Sequence, residues 1–220
     1  MKFRSVFDII GPVMVGPSSS HTAGAARIGL VARHLFQTEP ERADIHLYGS
    51  FAKTYQGHGT DVALVGGILG FDTHDTRIPE AIKLAEERGI KVTFIEEEDE
   101  HDHPNTVKIR LGKGKEQMEL MGISIGGGKV EVKELNGFKL RLSGNHPAIL
   151  VVHNDRYGAI ASVSALLAEN EINIGHMEVS RKDKGKEALM VIEVDQNVDE
   201  ELLAEIGTLA SIEKVTKIHD

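Results

Sequence analysis

Hydrophobic positions follow two spacings over residues 1–143, one typical of helices and the other typical of strands. Apolar residues three and four apart, such as Ile28, Val31 and Leu35, place a hydrophobic stripe on one helix face. Helices are predicted over residues 20 to about 36, 60–69 and 79–88. Alternating apolar residues predict strands over 44–50, 90–95, 106–111, 117–124, 130–135 and 138–142. The mixture predicts an α+β domain.

Short polar and glycine signals mark where these elements begin, end and meet. Ser19 or Ser20 is predicted to cap the first helix, because serine is a favoured N-cap residue. Gly66 and Gly67 would let the second helix pack closely against a neighbour. Asn136-Gly137 predicts a hairpin between the last two strands.

The polar stretch at residues 143–147 separates this domain from a more regular second half, residues 148–220. Strands are predicted over 148–152, 173–180, 188–194 and 212–218, and helices over 158–169 and 199–208. The resulting order, β-α-β-β-α-β, is the ferredoxin-like pattern.

Composition excludes several kinds of protein. The chain has 220 residues, a formal net charge of -9 and no cysteine. An acidic chain without a basic face is a poor match for nucleic acid, and no apolar run is long enough to span a membrane. No signal peptide is predicted, so the cytoplasm is the expected location. Without cysteine, the chain itself holds no disulfide, thiolate metal ligand or cysteine nucleophile.

Two glycine-containing loops place histidines and small polar residues directly before predicted helices. They are Gly16-Pro17-Ser18-Ser19-Ser20-His21-Thr22 and Gly57-His58-Gly59-Thr60-Asp61. Helix N-termini favour anions, so the two loops predict a site for a small carboxylate. Histidine titrates near neutrality and can exchange protons there. The alternatives are plain helix capping by the serines, and a dipole-stabilising role for Asp61.

Other polar segments have a functional and a structural interpretation. His103-Pro104-Asn105-Thr106 is either a site loop or an ordinary connection, and Ser124 with the three glycines that follow is either an anion-tolerant loop or a wide turn. The acidic run at 96–102 is interpreted as a solvated loop, because no ligand spacing supports a metal site. A surface turn explains Asp72, His74 and Asp75, and a packed or edge position in predicted strands explains His153 and His176.

Residues 148–218 resemble an ACT domain, a small amino-acid-sensing module. The most specific part is the loop Asn154-Asp155-Arg156-Tyr157-Gly158-Ala159-Ile160, in which Tyr157 stands where the family usually has proline. The resemblance implies that Asn154, Tyr157 and Gly158 contact an amino-acid effector, and that the chain pairs into a homodimer through this domain. The alternative is a turn in which Asn154 makes only a local hydrogen bond.

The first half resembles the beta chain of the bacterial iron-sulfur L-serine dehydratases. Four groups of residues occur in the family's order: the first loop with Arg27; Gly49-Ser50 with Thr54 and the second loop; His103-Pro104-Asn105-Thr106; and Ser124-Ile125-Gly126-Gly127-Gly128. The resemblance implies conversion of L-serine to pyruvate and ammonia. It also implies a [4Fe-4S] cluster ligated by the alpha chain, so this chain would supply no metal ligand, would need the alpha chain as partner and would be inactive alone.

The resemblance carries roles over to the residues of these motifs. Four are expected to be catalytic: Ser19, Ser20, His21 and His58. Nine are expected to bind substrate: Ser18, Thr22, Gly59, Thr60, Asp61, His103, Asn105, Thr106 and Ser124. Which histidine is the base stays open at this point.

Two other functions compete with this one. The first is a non-catalytic, serine-sensing protein similar to the regulatory half of phosphoglycerate dehydrogenases, although a sensor has no need of two histidine-bearing loops. The second is a metallohydrolase, for which the sequence has no spacing such as His-Glu-x-x-His.

Overall fold

The computed structural model describes residues 12–99, 101–144 and 146–218, which divide after Asn136 into two compact units. The helices of the first unit are α1 Gly24–Phe36, α2 Gly49–Thr54, α3 Thr60–Ile68 and α4 Ala81–Glu87, with a π-helical turn at Ser19–Ala23 and a 3-10 turn at Ile78–Glu80. Its strands are β1 Arg42–Leu47, β2 Lys91–Glu96, β3 Thr106–Lys113, β4 Glu116–Gly126 and β5 Lys129–Leu135. The predicted α+β class is confirmed.

The strands of the first unit lie in the order β2-β1-β3-β4-β5. Only β1 and β2 run parallel, and the other neighbours are antiparallel. Helix α1 packs on this sheet, since Ile28 is fully buried and a Cβ atom added at Gly122 of β4 would lie 2.9 Å from its side chain. The predicted hydrophobic stripe of α1 therefore faces the core.

Close packing of α1 on α3 depends on glycines from both helices. A Cβ atom at Gly67 would lie 2.1 Å from the carbonyl oxygen of Ala26, and one at Gly29 would lie 2.3 Å from that of Leu64. The predicted packing role of Gly67 is confirmed, and this contact holds the first half of α1 against the second half of α3.

Two predicted boundaries are wrong. The strand predicted over 44–50 ends at Leu47, because Gly49 turns the chain with φ 55° and helix α2 begins there. The cap of the first helix is Ser18 rather than Ser19 or Ser20: Ser18 is extended, and its hydroxyl accepts a hydrogen bond from the His21 N–H at 3.1 Å.

The second unit contains β6 Phe138–Leu142, β7 Ala148–Asn154, α5 Ala159–Glu169, β8 Ile174–Arg181, β9 Glu187–Val194, α6 Glu200–Thr208 and β10 Ile212–Ile218. Strands β7 to β10 form an antiparallel sheet in the order β10-β7-β9-β8. Side chains of α5 and α6, such as Leu167 and Ile206, pack with this sheet in one apolar core. The ferredoxin-like β-α-β-β-α-β pattern is confirmed.

The turn between β5 and β6 has the backbone that its sequence predicts. Asn136 and Gly137 both have positive φ, 49° and 81°, as a type I′ turn requires. None of the described helices has the length and apolar character that a membrane crossing needs.

Candidate functional site

A π-helical turn at Ser19–Ala23 carries the first predicted loop into helix α1. Single π turns of this kind are rare and are often found at functional sites. The turn is fixed by the Ser19 carbonyl oxygen, which accepts hydrogen bonds from the N–H groups of Gly24 and Gly128, the latter at 3.1 Å. Gly24 has no room for a side chain, because a Cβ atom there would lie 2.0 Å from the Ser124 hydroxyl.

The ring of His21 projects from this turn and is held on both sides by serine hydroxyls. Its Nδ1 lies 3.0 Å from Ser20 Oγ, and its Nε2 lies 2.9 Å from Ser50 Oγ. The ring of Phe51 contacts it edge-on, with 5.3 Å between centroids. Burial, with a smaller contribution from His58, lowers the pKa of His21 and so favours the neutral ring.

His58 of the second loop stands beside His21. The two ring centroids are 4.9 Å apart, and the Thr22 hydroxyl donates a 2.9 Å hydrogen bond to the His58 carbonyl oxygen. Nδ1 of His58 is enclosed and has no hydrogen-bond partner among the described residues. The structure therefore brings the two predicted histidine-bearing loops together at adjacent helix starts.

The rest of the second loop shapes the start of α3. Gly59 precedes the helix in the left-handed conformation, with φ 65°. Asp61 Oδ1 accepts a 2.8 Å hydrogen bond from the Val62 N–H, and burial raises the pKa of this carboxyl group. The hydroxyl of Thr60 is enclosed without a partner in the described part of the chain.

The loop at residues 103–106 supports helix α2. The Pro104 carbonyl oxygen accepts hydrogen bonds from the N–H groups of Ser50, at 2.7 Å, and Phe51, at 3.4 Å. His103 Nδ1 accepts from the Asn105 N–H at 3.1 Å, and the Thr106 hydroxyl donates to the His103 carbonyl oxygen at 2.6 Å. Burial, and then the positive charge of Lys133, lower the pKa of His103.

Asn105 and Ser124 join this loop to the end of β4. The Asn105 side-chain amide donates to the Ser124 carbonyl oxygen at 3.3 Å, and the Ser124 N–H donates to the Asn105 carbonyl oxygen at 3.0 Å. The Ser124 hydroxyl is fully enclosed and has no partner among the described residues. Past β4, Gly128 reaches back to the π turn, and Arg27 donates to its carbonyl oxygen at 3.2 Å.

Ser50 is a site residue to which the sequence assigned no role. It belongs to one of the motifs that carry the family resemblance, yet one serine after a glycine gives no further signal. Its contact with His21 spans 29 positions in sequence and depends on the fold.

The predicted effector residues of the second unit lie where β7 meets α5. Gly158 has φ 87° and precedes the helix, and Tyr157 is fully exposed. The Asn154 N–H is bound by the Ser211 carbonyl oxygen at 2.8 Å. His153 is buried in β7, as predicted, and its Nδ1 lies 2.9 Å from the Asn154 carbonyl oxygen.

The residues that the structure describes form no metal-ligand cluster. The sequence has no cysteine, and the described part of the chain has no group of three or more histidine, aspartate or glutamate side chains that could hold a metal ion. Asp75 pairs with Arg77 at 2.6 Å, and Glu97 pairs with His46 at 2.6 Å.

Comparison with known proteins identifies both halves. Residues 5–91 match the family model "Serine dehydratase beta chain", and residues 148–211 match the ACT domain model. The chain is 64% identical to the "Probable L-serine dehydratase, beta chain" of Bacillus subtilis, with 100% of each chain covered. It is 38% identical to the "L-serine dehydratase, beta chain" of Peptoniphilus asaccharolyticus, with 92% of each covered.

A more distant match concerns another kind of enzyme. The D-3-phosphoglycerate dehydrogenase of Bacillus subtilis is 24% identical over 88% of this chain, which spans only 37% of that protein. The two full-length relatives decide the family. This chain belongs to the serine dehydratase beta chain family and carries an ACT domain in its second half.

Proposed function

We propose that this chain is the beta subunit of an iron-sulfur L-serine dehydratase, and that it converts L-serine to pyruvate and ammonia together with a cysteine-bearing alpha chain. One observation carries the proposal: two histidines from different loops meet at adjacent helix starts, with serine hydroxyls around them. This arrangement combines anion-binding groups with proton-transferring groups, as a deamination of a small amino acid requires.

The cluster is assigned to the alpha chain, because this chain has no cysteine to ligate it. When bound there, a [4Fe-4S] cluster with one iron open to ligands would supply a Lewis acid for the substrate hydroxyl. The residues of this chain bind and orient the amino acid, exclude water and move protons.

His58 is the better candidate for the base that takes the α-proton. Both ring nitrogens of His21 are already engaged by serine hydroxyls, whereas His58 has no ring hydrogen bond to a described residue. His58 takes the α-proton, and the β-hydroxyl group leaves with one proton as water, so that aminoacrylate forms. Water then hydrolyses the imine tautomer of aminoacrylate to pyruvate and ammonia. The start of the helix that Ser18 caps would hold the carboxylate.

The second unit is proposed to sense an amino acid. Asn154 ends β7, and Tyr157 and Gly158 lie in the loop before α5, where the family resemblance implies effector contacts. L-serine is the effector that this proposal tests first. Pairing of two copies through this domain is part of the same proposal.

The test is an anaerobic assay of pyruvate formation from L-serine, with the chain alone and with a cysteine-bearing alpha chain whose cluster is reconstituted. Activity only with the partner is the expected result. An inactive complex that demonstrably binds this chain and holds its cluster would contradict the proposal and favour a serine sensor.

A histidine variant tests the proposed base in the same assay. His58→Ala is expected to reduce turnover by at least about a thousandfold, because general base catalysis contributes roughly 10²–10⁴ and the orienting imidazole is lost as well. His74→Ala is the matched control, since His74 is exposed and its ring pairs with Asp72 at 3.4 Å. Near-normal turnover of a folded His58→Ala complex would remove His58 from the chemistry.

A further inference from the structure

The hydrogen bonds around His21 form one continuous chain across the site. The Ser18 hydroxyl lies 3.4 Å from that of Ser20, Ser20 Oγ lies 3.0 Å from His21 Nδ1, and His21 Nε2 lies 2.9 Å from Ser50 Oγ. Ser18 Oγ also accepts a hydrogen bond from the His21 N–H, so this series of hydrogen bonds is fixed to the backbone at one end.

The direction in which these hydrogen bonds run decides which hydroxyl group has a proton free to donate to a ligand. In neutral histidine one ring nitrogen donates and the other accepts. If Nδ1 carries the proton, Ser50 must donate to Nε2, and the unused proton is on Ser18. If Nε2 carries it, Nε2 donates to Ser50, Ser20 donates to Nδ1, and Ser18 donates to Ser20. The unused proton is then on Ser50.

The second direction is favoured, because the Nε2–H tautomer is the one that a histidine side chain prefers in water. It also gives the Ser18 hydroxyl an acceptor. In this arrangement Ser50 accepts from His21 and has no acceptor of its own among the described residues.

Backbone hydrogen bonds to Pro104 fix the position of Ser50. The N–H groups of Ser50 and Phe51 are both taken by the Pro104 carbonyl oxygen, so the hydroxyl is the only donor that Ser50 can offer a ligand. Gly49 makes this approach feasible, because a Cβ atom there would lie 2.7 Å from the same oxygen. Phe51 is fully buried beside His21 and holds the start of the helix in place.

We propose that Ser50 is a further substrate-binding residue, whose hydroxyl donates a hydrogen bond to the carboxylate of the amino acid while it accepts one from His21 Nε2. This inference rests on the proposed function and adds a contact to it. Hydrogen bonds in a chain polarise one another, so accepting from His21 makes the Ser50 hydroxyl a stronger donor. Because the Pro104 carbonyl oxygen holds the Ser50 N–H, the loop at residues 103–106 acts on the substrate through Ser50.

The first arm of the test needs no activity. Nitrogen-15 NMR of the full chain, labelled at histidine, reports which ring nitrogen of His21 carries the proton. We expect Nε2 to carry it. A proton on Nδ1 would overturn the proposal, because the Ser50 hydroxyl would then donate its proton to His21 Nε2 and could not donate it to the carboxylate.

The second arm uses the assembled, cluster-loaded complex. Ser50→Ala is expected to raise the KM for L-serine roughly 10- to 100-fold, with a smaller change in kcat, since a hydrogen bond to a charged group is lost from both the ground state and the transition state. Ser50→Thr keeps the hydroxyl and should restore KM to within a few-fold. The matched control is Ser164→Ala, which removes a hydroxyl that donates only to the Ile160 carbonyl oxygen.

An unchanged KM in a folded Ser50→Ala complex would overturn the proposal, and so would a failure of Ser50→Thr to restore what Ser50→Ala loses. An inactive wild-type complex would instead contradict the proposed function, and the tautomer of His21 would still decide whether the chain of hydrogen bonds runs toward Ser50. If Ser50→Ala does not fold, the tautomer and Ser50→Thr decide the question.

Discussion

At the scale of single residues, the surroundings of His21 determine when it carries charge. Burial lowers its pKa, and the neighbouring His58 lowers it further. The protonation midpoint in the folded chain should therefore lie below the ordinary value of about 6.5. Replacing His58 by glutamine removes the smaller cause, so the midpoint should rise but stay below 6.5. NMR titration of the ring measures it.

The same shift predicts how stability depends on pH. Between the lowered pKa of the folded chain and about 6.5, the unfolded chain binds more protons, so the free energy of unfolding contributed by His21 falls as the pH falls through this window.

His74→Gln is the control for the NMR titration of His21, because His74 is exposed and remote from His21 in sequence. A midpoint that does not move in His58→Gln would show that His58 does not lower the pKa of His21.

Residue types and motifs predicted most of the residues that lie at the site, whereas the contacts between the loops that carry them could not be predicted. His21 and His58 were singled out by their loops, and they do meet. Ser124 was expected to face the substrate, yet its hydroxyl is enclosed next to Gly24. Ser50 was given no role, because its partner lies 29 positions away. The substrate roles of these residues stay predictions.

At the scale of elements, local periodicity located α1 and α3 and the alternating strands, and it failed where a distant group ends an element. Alternation continued through residue 50, so a strand was predicted there. The chain instead turns at Gly49, where a carbonyl oxygen from residue 104 receives the first N–H groups of α2. No pattern within residues 44–54 contains that information.

The contact between α1 and α3 gives a prediction about stability. Gly67→Ala would place a methyl group 2.1 Å from the Ala26 carbonyl oxygen, so the helices must separate. Overpacking of this kind costs about 1–3 kcal/mol of unfolding free energy, to be measured by urea denaturation. Turnover should also fall, because His21 and His58 sit at the starts of these two helices.

A matched glycine separates this steric effect from helix propensity. Gly207 lies in α6 with nothing within 4 Å of an added Cβ atom. Gly207→Ala should therefore stabilise the chain by about 0.5–1 kcal/mol, as alanine does in an exposed helix. If Gly67→Ala were as stable as the unchanged chain, the close approach of α1 and α3 would not hold in solution.

At the scale of the whole molecule, two units of different architecture divide the proposed work. The sequence predicted both folds, because each unit has its own periodicity and the second has its own apolar core. The two compact units divide after Asn136, and the predicted domain limits, 1–143 and 148–220, stay predictions. The absence of cysteine concerns the molecule as a whole, since under the proposed function it leaves cluster ligation to the alpha chain.

The ACT unit supplies a prediction about regulation. Gly158 has φ 87°, a conformation that valine adopts only with strain of about 1–3 kcal/mol. Gly158→Val should therefore distort the loop between β7 and α5 and weaken the binding of L-serine to this unit. Calorimetric titration of the assembled complex, together with turnover as a function of serine concentration, measures the loss of response.

Gly114 provides the matched control for this experiment. It has φ 54°, has open space around an added Cβ atom and lies in the turn between β3 and β4 of the first unit. Gly114→Val introduces similar backbone strain outside the ACT unit, so the serine response should persist. A response that survives Gly158→Val unchanged would argue against effector binding at this loop.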